Sequence, residues 1–218
     1  MLTSRDKLIV YHVEKYGFVT IAQAYSIWFG SKRYGYDLSR KHLAKIEAEG
    51  YLKSYRPTST AMYTKKIYYI EAKYATPNKS MVIAMDVYAE LIRLGAGMIH
   101  FKREEQWFEG KYRSDAFTIV SLNNKIYSSC IEIIDTTKLS YSTHKKALIS
   151  KYEEIYEDDE PVNKLIDITN LDRKFSNPKL IIISEIIPKQ PIEINDVEVI
   201  FIDYSLRKLS QIFTTEKP

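Results

Sequence analysis

The chain reads as an α+β protein in two parts: a small helical domain with a β-hairpin over residues 1–75, and a mixed α/β domain over residues 80–218. Three observations predict this division. Apolar residues recur every three or four positions as far as residue 50 and then give way to strand-like runs. Charge divides at the same place, with 13 Lys/Arg against 6 Asp/Glu in residues 1–75 and 19 against 22 in the remainder. Residues 72–79, which include Pro77 and Asn78, have the composition of a linker.

At 218 residues the chain is long enough for two small domains, and 45% hydrophobic with 28% charged residues is ordinary for a globular protein. No apolar run approaches the roughly 20 residues of a membrane span, so no membrane is expected as a partner. Residues 1–6 contain an early acid and no apolar stretch, which argues against a signal peptide and for a cytoplasmic location. The single cysteine, Cys130, allows no internal disulfide and fits a reducing compartment. Lying in an apolar run, it reads as a small core residue.

In the first part, Thr3 precedes Leu8, Ile9, Val13 and Tyr16, and Gly17 closes the run: a capped helix of about 13 residues. Thr20 and Gln23 have the spacing of a capping box, opening a second helix that runs to about Phe29. Asp37 or Ser39 then caps a third helix, in which Leu43, Ile46, Gly50, Tyr51 and Leu52 place an apolar back and a glycine stop. Ser39, Arg40, Lys41, His42 and Lys45 remain for its outward side. Cations and short polar side chains on the leading turns of such a helix suit the major groove of duplex DNA. Residues 51–56 and 62–70 read as hairpin arms around Pro57-Thr58-Ser59-Thr60, carrying Lys53, Arg56, Lys65 and Lys66. Three helices and a basic hairpin make a winged helix-turn-helix. His42 lacks a second ligand at metal-binding spacing and reads as a DNA contact.

In the second part the order is a helix near 81–94, strands near 98–105, 115–122 and 126–134, a helix near 140–156, strands near 180–187 and 197–204, and a helix near 206–213. Asn123-Asn124 makes a two-residue turn between the second and third strands. This α-β-β-β-α-β order is the core order of PD-(D/E)XK nucleases. Asp115 opens the second strand and Glu132 ends the third, so a hairpin could bring the two carboxylates together as hard oxygen ligands for Mg²⁺.

Taken over about 200 residues, the chain resembles the replication-relaxation family of plasmid, phage and conjugative-element proteins. The likeness rests on Ser114-Asp115-Ala116, on Glu132-Ile133-Ile134-Asp135-Thr136-Thr137, and on the helix holding Lys145, Lys151 and Tyr152. It implies a winged helix followed by a PD-(D/E)XK-like domain, with Asp115, Glu132, Asp135, Lys145 and Lys151 as the site residues of that domain. Ser114 stands where the family pattern has proline. Asp135 lies three residues beyond Glu132, which leaves Ile134 in the slot where nucleases carry lysine.

The expectation is therefore a sequence-specific duplex-DNA-binding protein of a mobile element, serving replication, DNA relaxation or transfer, or transcriptional control. Its nuclease-like C-terminal domain is expected to be inactive, with no cofactor unless Mg²⁺. The expected partners are duplex DNA, a second copy of the chain in a homodimer, and replication or transfer proteins. Two rivals are an Mg²⁺-dependent endonuclease whose lysine has migrated to Lys145 or Lys151, and a winged-helix regulator whose C-terminal domain senses a ligand or partner. The chain has no glycine-rich phosphate loop to favour ligand sensing.

Overall fold

Helix α1 (Ser4–Tyr16) begins where Thr3 accepts the Asp6 N–H at 3.2 Å and Asp6 returns an oxygen to the Thr3 N–H at 2.8 Å. Two amides that the helix leaves unpaired are thus satisfied reciprocally. The computed structural model describes residues 1–57, 65–71, 76–134, 141–171 and 175–214, and only the backbone of 141, 142, 144 and 214. The architecture is mixed α+β, in two units, Met1–Arg93 and Leu94–Pro218.

Gly17, at φ 87°, turns the chain out of α1 into β1 (Phe18–Thr20), a short strand that the sequence pattern does not announce. Thr20 and Gln23 form the expected capping box on α2 (Ile21–Ala24), which continues as a π-helical stretch, Tyr25–Phe29. Helix α3 (Gly35–Ala48) starts earlier than expected, with no side-chain cap. Its first residue must be small, because a Cβ on Gly35 would lie 2.2 Å from the Phe29 carbonyl and 2.8 Å from the Tyr25 ring. Asp37 and Ser39 consequently fall inside the helix. The end is as read, with the Tyr51 N–H reaching back to the Ile46 carbonyl at 3.1 Å and Gly50 at φ 81°.

Strands β2 (Lys53–Tyr55) and β3 (Ile67–Tyr69) pair antiparallel, with β3 central in the order β1-β3-β2. Thr58, Ser59 and Thr60 of the expected turn lie outside the described residues. Ile9, Val13, Val19, Phe29, Leu43, Ile46, Leu52 and Tyr68 make the core. Helix α4 (Lys79–Arg93) joins this unit rather than the second domain. Gln23 Nε2 donates to the Val82 carbonyl at 3.3 Å and to Asp86 Oδ1 at 2.8 Å. Val82 and Met85, buried on the side of α4 that Gln23 meets, go with this unit, so the boundary falls after Arg93 and not at residues 75–80.

The second unit is a six-stranded mixed sheet in the order β4-β5-β6-β7-β9-β8. β4 (Gly97–Trp107), β5 (Tyr112–Leu122) and β6 (Lys125–Ile133) form an antiparallel meander, with Asn123 and Asn124 at φ 51° and 61° in the two-residue turn. α5 (Tyr141–Glu157) and α6 (Glu160–Thr169) carry the chain to β7 (Lys179–Ile183), parallel to β6. β9 (Val197–Ile202) runs parallel to β7, and β8 (Ile192–Ile194) pairs antiparallel on its outer side. α7 (Leu209–Thr214) ends the described chain.

The sequence reading lacks α6 and β8. The acidic run 157–160 marks a helix end, but Pro161 in the first turn opens a new helix. Asn195 and Asp196, at φ 46° and 63°, make a second hairpin turn like Asn123-Asn124. Trp107, Phe117, Ile119, Cys130, Ile134, Tyr152, Ile155 and Leu180 bury one face of the sheet beneath α5 and α6. Among the described residues no helix is long and apolar enough to cross a membrane.

Strand β4 is irregular at two points, a register shift between Met98 and His100 and the backbone at Glu104. Lys102 Nζ donates to Glu105 Oε1 at 3.2 Å, although residues three apart on a regular strand face opposite ways. Glu104 between them has a left-handed backbone, φ 53°, while burial goes on alternating through Phe101, Arg103, Glu105 and Trp107. The register holds on both sides (Arg103↔Ala116, Glu105↔Ser114), so Glu104 stands opposite Asp115.

Candidate functional site

Asp115 and Glu132 do converge. Ala116 pairs with Ile131, so the next position of each strand sets Asp115 opposite Glu132. Asp115 Oδ2 accepts the Ile133 N–H at 2.8 Å, which ties the end of β6 to β5. Helix α5 then lays two consecutive side chains over the pair. Lys151 Nζ donates to Glu132 Oε1 at 2.5 Å and to the Arg113 carbonyl at 2.7 Å. Tyr152 OH donates to the same Glu132 oxygen at 2.7 Å.

Behind Tyr152 runs a buried chain of hydrogen bonds. Trp107 Nε1 donates to Ser114 Oγ at 2.7 Å, and Ser114 Oγ lies 2.7 Å from Tyr152 OH. Since the tyrosine proton goes to Glu132, the Ser114 hydroxyl donates to Tyr152, and each hydroxyl accepts once and donates once. Ser114 thus supplies a link that a proline at this position could not.

Burial governs the titration here. It pushes the Glu132 carboxyl up; Lys151 pulls it back, Asp115 adds to the rise, and the result is about 7. Burial likewise raises Asp115, against the pull of the Ile133 N–H. Cys130, fully buried next door, is pushed up to about 12, as befits a core thiol. Across the break in β4, buried Glu105 behaves oppositely: burial raises it, but His100, Lys164 and Lys102 bring it down to about 2.

Of the two candidate lysines, Lys151 reaches Glu132, and Lys145 contacts neither carboxylate among the described residues. Ile134 is buried in the core, its N–H given to the Ile183 carbonyl, and offers the site nothing polar. Asp135 lies outside the described residues. No group of three or more His, Cys, Asp or Glu side chains among the described residues is arranged to hold a metal ion. Trp107 is the contributor that sequence reasoning misses; a tryptophan seven residues before Ser114 carries no signal until β4 and β5 pair.

In the first unit, α3 exposes Tyr36, Asp37, Arg40, Lys41 and Ala44. Ser39 is not among them. It is buried, with its hydroxyl donated to the Gly35 carbonyl at 2.8 Å, because it lies one turn before Leu43 on the same inward stripe of α3. His42 and Lys45 also turn away from the expected surface and toward α1. His42 Nδ1 lies 2.5 Å and Lys45 Nζ 3.0 Å from the two oxygens of Asp6, which is fully buried. Burial raises the Asp6 carboxyl, but the bonds from His42, Thr3 and Lys45 outweigh it and hold the group well below the usual range.

The hairpin cations are paired with acids of the same unit: Lys53 with Glu71 at 2.5 Å, Lys65 with Asp86 at 2.8 Å, and Lys66 with Glu47 at 2.8 Å. Arg56 is exposed. A concavity of about 530 Å³ opens before α3, lined by Lys32, Arg33, Tyr34, Asp37, Arg40 and Lys41 among others. By sequence Lys32 and Arg33 read only as loop residues; the doublet itself, next to two tyrosines, is the available signal.

Compared with protein-family models, curated proteins and solved structures, the chain matches none of them.

Proposed function

We propose that the protein binds duplex DNA with sequence preference through its first unit, a winged helix-turn-helix in which α3 enters the major groove. The observation that carries this reading is the single core that α1, α2 and α3 share with the β1-β3-β2 sheet. The helix's apolar side (Leu43, Ile46) is sunk in the core, while Arg40, Lys41 and Tyr36 stand exposed on the other. A helix so seated presents cations on its leading turns, the part of a recognition helix that a major groove admits. The net excess of cations in residues 1–75 supports the same reading. The test uses the full-length protein: selection from a randomised duplex pool should enrich one site. Enrichment of none, with no binding at low salt, would refute it.

The second unit fits a PD-(D/E)XK-like scaffold: an antiparallel β4-β5-β6 meander, helices, then parallel β7, with two carboxylates facing each other on β5 and β6. It serves here as a scaffold for protein or DNA contacts. One oxygen of Glu132 is already shared by Lys151 and Tyr152, and one of Asp115 is held by a backbone amide. Two carboxylates fit a hard cation such as Mg²⁺ in chemistry, and no third acid joins them among the described residues. By resemblance to replication-relaxation proteins, the biological setting is replication, transfer or transcriptional control of a plasmid, phage or conjugative element. Mapping bound sites across the genome would separate an origin from a promoter.

A second reading, a metal-dependent endonuclease, is favoured by one observation. Lys151 sits against Glu132 from α5, where it supplies the cation that Ile134 cannot. In that reading Asp115 and Glu132 would hold the ion, which would supply an activated water, and Lys151 would orient the attacking group.

A further inference from the structure

Arg56 apart, the described cations of the hairpin, of α3 and of the turn before it fall into two sets that differ in how they could hold DNA. Lys45, Lys53, Lys65 and Lys66 each lie within 3.0 Å of an acid of this same unit. A phosphate approaching any of them meets a pair whose charges already cancel, with the carboxylate still beside it. Lys32, Arg33, Arg40 and Lys41 differ. They line one concavity that contains a single acid, Asp37, and that acid lies at a weak 3.5 Å from Arg40. Lys32, Arg33, Arg40 and Lys41 are all exposed. Arg33 is stacked over the Tyr34 ring at 5.3 Å, which holds its planar guanidinium out from the turn. Tyr34 and Tyr36, 63% and 53% exposed, stand at the same turn with hydroxyls able to donate to phosphate oxygens.

We infer that this concavity, and not the hairpin arms, is the main phosphate-holding site: Lys32 and Arg33 grip the DNA backbone beside the groove that α3 enters. The inference rests on the duplex-binding reading above and assigns its electrostatic part to residues outside the third helix and the wing. Only cations that neutralise phosphate release condensed counterions, so the salt dependence of binding counts them. An internally paired lysine adds little to that count.

The experiment measures duplex affinity of the full-length protein by fluorescence anisotropy between about 50 and 200 mM salt, where such slopes are resolved. Three proteins are compared: wild type, Lys32→Ala/Arg33→Ala, and Lys65→Gln/Lys66→Gln. Thermal melts check that each is folded. The loop variant should lose about 2 from the magnitude of the log–log slope, at about 0.9 per contact, and the hairpin variant should keep the wild-type slope. If wild type binds and the loop variant keeps its slope, or the hairpin variant loses as much, the inference is overturned and duplex binding stands. If wild type itself binds no duplex at low salt, both fall together.

Discussion

Lys151 Nζ lies 2.5 Å from Glu132 Oε1, a contact between the first half of the sheet and the helix that crosses over it. Both side chains are largely withdrawn from solvent, and Tyr152, the next residue on α5, shares the same oxygen. A buried carboxylate with a cation and a hydroxyl on one oxygen ties α5 to β6 and leaves a proton-sensitive group in the tie.

Glu132 titrates at about 7 in the folded protein, against roughly 4.3 in an unfolded chain. Between these values the unfolded state binds fewer protons than the folded one, so stability falls as pH rises, and the loss is complete above pH 7. Glu132→Gln removes that ionisation. Urea midpoints at pH 4 and pH 8 should show the variant gaining on wild type by on the order of 3 kcal/mol across the range. A gap that stays constant with pH would mean that the carboxylate is not held in this state.

Asp6 predicts the opposite sign. Its carboxyl is held well below the ordinary value by His42, Thr3 and Lys45 despite burial. Its contribution is present above the unfolded value near 3.9 and is lost as pH falls toward the lower folded value. Asp6→Asn should cost about 2 kcal/mol at pH 7, and the gap to wild type should close below pH 3. Because Asp6 fixes α1 to α3, the same variant should also weaken duplex binding.

Arg40 tests base reading. It is exposed on the first turns of α3, with only a 3.5 Å contact to Asp37. Arg40→Ala should cost about 1–3 kcal/mol on the preferred site and flatten the preference among sites. Competition binding with single-base variants measures both. Retained preference would remove α3 from the base-reading role.

No cleavage of supercoiled DNA is expected in Mg²⁺ or Mn²⁺. Hydrolysis needs a held ion and a group that positions water. In this structure Lys151 is engaged twice, by Glu132 and by the Arg113 carbonyl. The assay sets wild type beside Asp115→Ala and Lys151→Ala. Nicking by wild type that both variants lack would establish the endonuclease reading instead.

Much of the local structure is legible in the sequence, because it depends on interactions a few residues long. Thr3 and Thr20 cap helices through partners three positions on; Gly17 and Gly50 end them; Asn123-Asn124 turns a hairpin. Leu43 and Ile46 declare the buried side of α3 by spacing alone. Local hydrogen bonds and periodic burial are set by neighbours in the chain, so the chain reports them.

The site is settled elsewhere. That Lys151 and not Lys145 meets Glu132 depends on the pitch at which α5 crosses the sheet. That Ser39 lies inside α3 and does not cap it follows from a start fixed by the room Gly35 leaves against Phe29 and Tyr25, and His42 and Lys45 are drawn to Asp6 of α1, which is distant in sequence. Helix α4 likewise takes its place in the first unit because its apolar face finds cover beside Gln23. The sequence by itself determined most of the helices and strands, though not β1, α6 and β8, and which side of α3 is apolar. Only the tertiary structure decided which charges meet, because the free energy of a charge depends on burial and on partners that are distant in sequence.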